Sequence, residues 1–332
     1  MLAALTVLFS HCFTLVTGNS YYEPGKLSLG ITLGDASVDV FFAISGFLVT
    51  KSLSNSGSLR RYAVARGFRI LPGLWVALVL TTSAVCVWFA SGSPLQYLGA
   101  PDVWAYVLRN AVVVSGAEFG FYGAFADNPY PYSVNASLWT LPLEVWMYIG
   151  LALAWLLALV PAARRSIGFF GLLRVAAVVL LVAAFALGFA GHPSSSVRHA
   201  AVFFLSAAMY SWRDRIPLRA SWFLAAIVVV LVAARLPQVV FEASYRLLLP
   251  YIVFYLAYVP GGAIRQYNKA GDYSYGLYIY AFPVQQMVVA AMPGISVIQL
   301  FLCAGLLTFV CAIASWHLVE TKAMAWREKA AG

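Results

Sequence analysis

The chain has 332 residues, 62% of them hydrophobic and only 10% charged, and its mean hydropathy is +0.84. A soluble globular domain carries about a quarter charged residues, so this composition excludes one and indicates a polytopic membrane protein. The net charge of +9 reads as basic cytoplasmic loops in such a protein, and no nucleic-acid partner is expected.

At about 20 apolar residues per crossing, ten spans are expected in one transmembrane bundle over residues 1–332. The first runs from about Leu2 to Thr17, the second from Ile31 to Thr50 and the third from Ile70 to Ala90. Between the second and third lies a basic stretch with Arg60, Arg61, Arg66 and Arg69, read as a loop. A long aromatic-rich loop, 91–135, follows. The remaining spans are placed at Ala136–Val160, Leu172–Phe189, His199–Trp212, Ser221–Ala234, Tyr245–Val259, Tyr273–Met292 and Val297–Val319.

Alternate inter-span segments carry 15 lysines and arginines against 5, with Arg174 at a span edge. The positive-inside rule then puts both termini and the Arg60–Arg69 stretch in the cytoplasm and loop 91–135 outside. Cys12, Cys86, Cys303 and Cys311 all fall in apolar runs and read as buried hydrophobes, with no disulfide framework and no metal-ligand spacing.

His11, Asp39 and Glu144 stand inside apolar spans, where an ionisable group is costly and calls for a partner or a wet cavity. At 1.5 Å per residue, His11 lies about 15 Å, Asp39 about 18 Å and Glu144 about 24 Å from the cytoplasmic end of its span. Each also has a plainer reading: a packing hydrogen bond for His11, a cap or boundary pair for Asp39, an interfacial carboxylate for Glu144. Arg66 and Arg69 are one turn apart, just before a span, a spacing that suits phosphate. Pro72 is expected to break or kink the chain there. His192, His199 and His317 read as solvated or interfacial.

Four motifs in order, VDVFFAISGFLVT, RGFRILP, SLWTLPLEVWMY and DYSYGLYIYAFPVQQ, resemble the acyltransferase-3 family of integral membrane O-acyltransferases over essentially the whole chain. The resemblance implies transfer of an acyl group, usually acetyl, from cytoplasmic acyl-CoA to a sugar hydroxyl in a surface polysaccharide, lipopolysaccharide or lipid-linked oligosaccharide. Acyl-CoA would be a co-substrate, with no tightly bound cofactor, and the location a bacterial cytoplasmic membrane. It also matches His11 to the family's functional histidine, Glu144 and Asp39 to its acids, and Arg66 and Arg69 to its arginine motif.

An imidazole suits removal of the hydroxyl proton near neutral pH, so His11 is the expected base, with Glu144 or Asp39 orienting it. Tyr122 and Arg109 of the outer loop, with Trp139 beyond it, are the candidate acceptor contacts; an interfacial aromatic belt is the plainer account. The family often has an arginine ten residues before this histidine, which would fall just ahead of Met1, so a late start or a truncated first span is expected. Ala65 and Ala281 also depart from common family residues. A flippase for a lipid-linked sugar would use intramembrane acids equally well, and remains the rival to an enzyme.

Overall fold

The structure, a computed structural model, describes residues 1–261 and 271–331. Arg265 and Lys269, two of the cations that set the expected orientation, lie outside the described residues. Among the described residues the regular structure is helical, with one isolated bridge between Ala90 and Ala124. Six helices among the described residues are long and apolar enough to cross a bilayer, and Leu2–Thr17 and Ala220–Ala233 are shorter apolar helices.

The principal helices are α1 (Leu2–Thr17), α2 (Leu33–Ser56), α3 (Leu59–Ala84), α4 (Pro101–Val112), α5 (Thr140–Leu157), α6 (Gly168–Phe189), α7 (Ser195–Tyr210), α8 (Ala220–Ala233), α9 (Gln238–Tyr258), α10 (Ser274–Ala291), α11 (Val297–Ser315) and α12 (Thr321–Ala331). They divide into two compact units. Unit one comprises Met1–Ser37, Arg60–Val145 and Gly271–Gly332; unit two comprises Val38–Leu59 and Trp146–Ala270.

In unit one, α1 stops at Gly18, whose left-handed φ of 74° lets its N–H reach Thr14 O. A Cβ there would also lie 2.6 Å from Pro129 O, so both backbone shape and space require glycine. The start of α2 is fixed by a reciprocal cap: Asp35 N donates to Thr32 Oγ1 (2.9 Å) and Thr32 N to Asp35 Oδ2 (3.2 Å).

The core of unit one is α10, packed by α1 and α11 and buried along most of its length. It carries Gln285 and Gln286 as well as three tyrosines, Tyr275, Tyr278 and Tyr280. A Cβ on Gly276 would come within 2.8 Å of Ala312 Cα, so the glycine lets α10 and α11 approach closely. Loop 91–135 is bound to this helix. Asn128 Nδ2 donates to Gln286 O and Oε1, Gln286 Nε2 to Tyr130 O and Ser133 O, and Asn135 Nδ2 to Ile279 O.

Unit two packs α6 against α7, α8 against α9, and α9 against α6 and α7. Its tightest approach is at Gly46, where a Cβ would sit 2.1 Å from Phe203 O, inside contact distance with backbone that cannot move aside. The outward faces of α6 and α8 remain apolar and exposed, as lipid-facing helices require: Val178 and Val182 on α6, Leu224 and Val228 on α8.

Three expectations are corrected. The stretch from Arg60 to Arg69 is helix, the first turns of α3, because nothing before Pro72 breaks it and arginine is a good helix former. Pro72 does not end the helix, which continues to Ala84. The span placed at Tyr245 begins at Gln238, so Glu242 and Arg246 are helical; their charges conceal the helix start from a hydropathy reading. Loop 91–135 also contains helix of its own, α4 and the short turn Pro94–Leu98.

Candidate active site

In unit one, α1 displays Ser10, His11, Cys12 and Thr14 within little more than one turn. Nδ1 of His11 is buried and has no hydrogen-bond partner among the described residues. The Phe282 ring of α10 meets the imidazole edge-on at 5.4 Å between centroids. Glu23, beyond the end of α1, folds back on the helix: Ser10 Oγ donates to Oε2 and Thr14 Oγ1 to Oε1, each at 2.5 Å. Glu23 and Asp35 are the carboxylates that act electrostatically on His11. Sequence reading passed over Glu23, which stands outside the apolar run among loop residues. Its only signal was the pair of hydroxyls at positions 10 and 14, either side of His11.

Cys12 is buried, donates to Leu8 O (3.3 Å) and accepts from Gln285 Nε2 (2.9 Å). Fixed in this way and buried, it fits a packing role. Glu144 lies within electrostatic reach of the phenols of Tyr62, Tyr275 and Tyr278. One turn earlier on the same helix, Thr140 Oγ1 is 2.7 Å from Tyr278 Oη, which donates to Ser137 O.

Arg69 is held on two sides. Nη2 lies 2.6 Å from Asp272 Oδ2 and Nη1 lies 3.5 Å from Glu320 Oε2, with the Tyr275 ring 5.7 Å from the guanidinium carbon. Burial alone would raise the Asp272 carboxyl, but the Arg69 guanidinium and the Ser274 side chain and N–H outweigh it and hold the group below the ordinary carboxylate range. Arg66 lies one turn earlier on α3.

In unit two, Asp39 Oδ1 meets an imidazole, that of His199, with Nδ1 at 2.6 Å. The two residues are 1% and 3% exposed, and Asp39 Oδ2 has no hydrogen-bond partner among the described residues. His199 is therefore neither solvated nor interfacial, contrary to expectation. Its position on α7, packed against the Phe42 ring, was not visible from α2 alone.

Of the acceptor candidates, Tyr122 is 77% exposed and stacks on Tyr132 with centroids 5.4 Å apart. Arg109 forms an ion pair with Glu118, and Asn110 ties the same segment down by donating to Glu118 O and accepting from Glu118 N. Trp139 ends the half-buried turn that leads into α5. No group of three or more His, Cys, Asp or Glu with metal-binding geometry occurs among the described residues.

The profile of the acyltransferase-3 family, an acyltransferase domain, matches residues 1–317. An O-acetyl transferase of Shigella phage Sf6 is 28% identical over 340 residues, covering 97% of this chain and 93% of that protein. Nodulation protein 10 of Rhizobium leguminosarum bv. viciae is 32% identical over 162 residues, 46% of this chain and 41% of that protein. No solved structure matches the chain. With the four motifs in order on a helical membrane protein and the profile spanning nearly every residue, the chain belongs to the acyltransferase-3 family of membrane O-acyltransferases.

Proposed function

We propose that the protein moves an acetyl group from acyl-CoA to a hydroxyl of a carbohydrate or glycolipid, in the cytoplasmic membrane of a bacterium. The observation that carries this reading is His11: an imidazole inside an apolar helix, with Nδ1 unpartnered and a carboxylate held nearby by Ser10 and Thr14. The likeness to an O-acetyl transferase over 97% of the chain supports acetyl as the group carried.

In the proposed reaction a sugar hydroxyl attacks the thioester carbonyl while His11 takes its proton. The tetrahedral intermediate collapses with cleavage of the C–S bond, and the CoA thiolate leaves and recovers the proton from the imidazolium. Glu23 stabilises that imidazolium from its place beside α1. This assigns Glu23 the part first expected of Glu144 or Asp39; the Asp39 carboxylate is already engaged by His199. Glu144, among three phenols, serves as the second acid of the site, on the side where Tyr278 and Thr140 are hydrogen-bonded. Direct transfer is favoured, because Cys12 is occupied by Leu8 and Gln285.

For the donor, Arg66 and Arg69, one turn apart on α3, are both retained as contacts for the CoA phosphates, and Arg69 also positions α3 through its ion pairs with Asp272 and Glu320. Tyr122, Arg109 and Trp139 are retained as acceptor contacts.

The test is transfer of label from acetyl-CoA to carbohydrate in membranes containing the full chain. Label is expected in the carbohydrate fraction with the native chain, and at least about 100-fold less with His11→Ala at equal expression. Undiminished transfer by His11→Ala would reject the base, and absence of label with abundant native protein would reject the reaction.

A further inference from the structure

At the end of unit two where α6 finishes and α7 and α9 begin, a half-open cavity of about 500 Å³ runs between α6 and α9. Its walls include Val182 and Phe185 on α6 and Ala243 and Leu247 on α9. Val182, Phe185 and Leu247 are large apolar side chains left exposed. The polar end is formed by Glu242 and Arg246.

That polar end is built and has an excess of positive charge. Glu242 Oε2 accepts from Arg198 Nη1 at 2.8 Å and from Arg246 Nη1 at 2.9 Å, while Gln238 Nε2 donates to Oε1 at 2.8 Å. Arg246 Nη1 also contacts Glu242 O at 3.3 Å, and Arg198 Nη2 contacts Ser195 Oγ at 3.3 Å. Two guanidinium groups thus share one carboxylate, leaving the cluster one positive charge over. Arg246 is only 4% exposed, and Nε of both Arg198 and Arg246 is buried with no hydrogen-bond acceptor among the described residues. The first-turn N–H groups of α7 and α9 add positive potential at the same end.

A surplus cation costs free energy at the edge of a bilayer unless an anion meets it. The cavity opens along apolar, lipid-facing helix surface, so the matching anion is amphiphilic. A phosphodiester carries one negative charge and several acceptor oxygens, which suits a cluster with one positive charge over and spare N–H groups. We propose that this groove holds a glycerophospholipid: its phosphodiester lies against Arg246 and Arg198, and its acyl chain lies along Val182, Phe185 and Leu247. The site lies within unit two, and its occupation does not depend on the acyl-transfer reaction.

The test is native mass spectrometry of the full chain released from a non-ionic detergent. Added phosphatidylglycerol is expected to stay as one discrete adduct. Diacylglycerol, with the chains but no phosphate, and glycerol 3-phosphate, with the phosphate but no chains, are not. Arg246→Gln should reduce adduct retention at least about tenfold, a loss of about 1.4 kcal/mol. Because Arg246→Gln also disturbs the ion cluster, Ala243→Trp is the second variant; it fills the groove, leaves every charged group in place, and should reduce retention as much. Retention of diacylglycerol equal to phosphatidylglycerol, stable binding of glycerol 3-phosphate, or unchanged lipid retention in Ala243→Trp would each overturn the proposal.

Discussion

Two histidines in apolar helices have contrasting surroundings. His199 has Nδ1 against the Asp39 carboxylate and is closed off, whereas His11 keeps an unpartnered nitrogen beside the held carboxylate of Glu23. A base must be able to accept a proton, and a buried pair of the His199 kind is better suited to holding helices together. For the first, Glu23→Gln keeps the shape that Ser10 and Thr14 grip but removes the charge. Its kcat is expected to fall about tenfold with KM little changed, the loss of about 1.4 kcal/mol of transition-state stabilisation. For the second, Asp39→Asn and His199→Gln should each lower Tm in detergent. A double-mutant cycle on them should give a coupling energy of about 0.5–3 kcal/mol; a cycle that closes at zero would show that the pair contributes nothing jointly.

At the scale of elements, close helix contacts rest on single glycines. Gly46 faces Phe203 O with no room for a Cβ, and neither backbone can yield without displacing a helix. Gly46→Ala is therefore expected to destabilise the protein by about 1–3 kcal/mol, read as a lower Tm and a smaller monodisperse fraction. The contact joining the start of α3 to the residues before α10 is electrostatic. Because Asp272 titrates below its unfolded value, its pairing with Arg69 adds stability above the ordinary carboxylate range, about pH 3.9, and loses it as pH falls through the lower folded value. The native chain should lose more stability than Asp272→Asn on acidification through that window, and parallel melting curves from pH 6 to pH 3 would refute the pairing. The continuous helix through Arg60–Arg69 matters here, since it gives Arg66 and Arg69 a common rigid mount.

At the scale of the whole molecule, exposed apolar surface decides behaviour. Side chains such as Val178, Val182, Leu224, Leu302 and Leu306 would be untenable in water, and they identify surfaces that meet lipid. The chain should remain in the membrane pellet through alkaline carbonate extraction and leave it only with detergent. The proposed orientation has its own check: a reporter after α12 should be accessible from the cytoplasm and one in the 91–135 loop from the opposite side. Reporters on the same side would reverse the positive-inside reading.

The runs of about 20 apolar residues determined that this chain lives in a bilayer as helices, because the other structure that satisfies the backbone in lipid, a closed barrel, alternates apolar and polar residues. The motifs, read in order, determined the family, and the positions of His11, Asp39 and Glu144 announced themselves because ionisable groups in apolar runs are rare. Partners were another matter. Asp39 joins His199 from 160 positions away, Arg69 joins Asp272 across 203, and Glu23 reaches Ser10 and Thr14 only because the chain folds back after Gly18. Hydropathy assigns a residue to a span but not to a face, and it hides a helix such as α9 whose first turns carry charges that pair with one another in space. Which acid stands beside which base is a property of helix packing, and only the tertiary structure decided it.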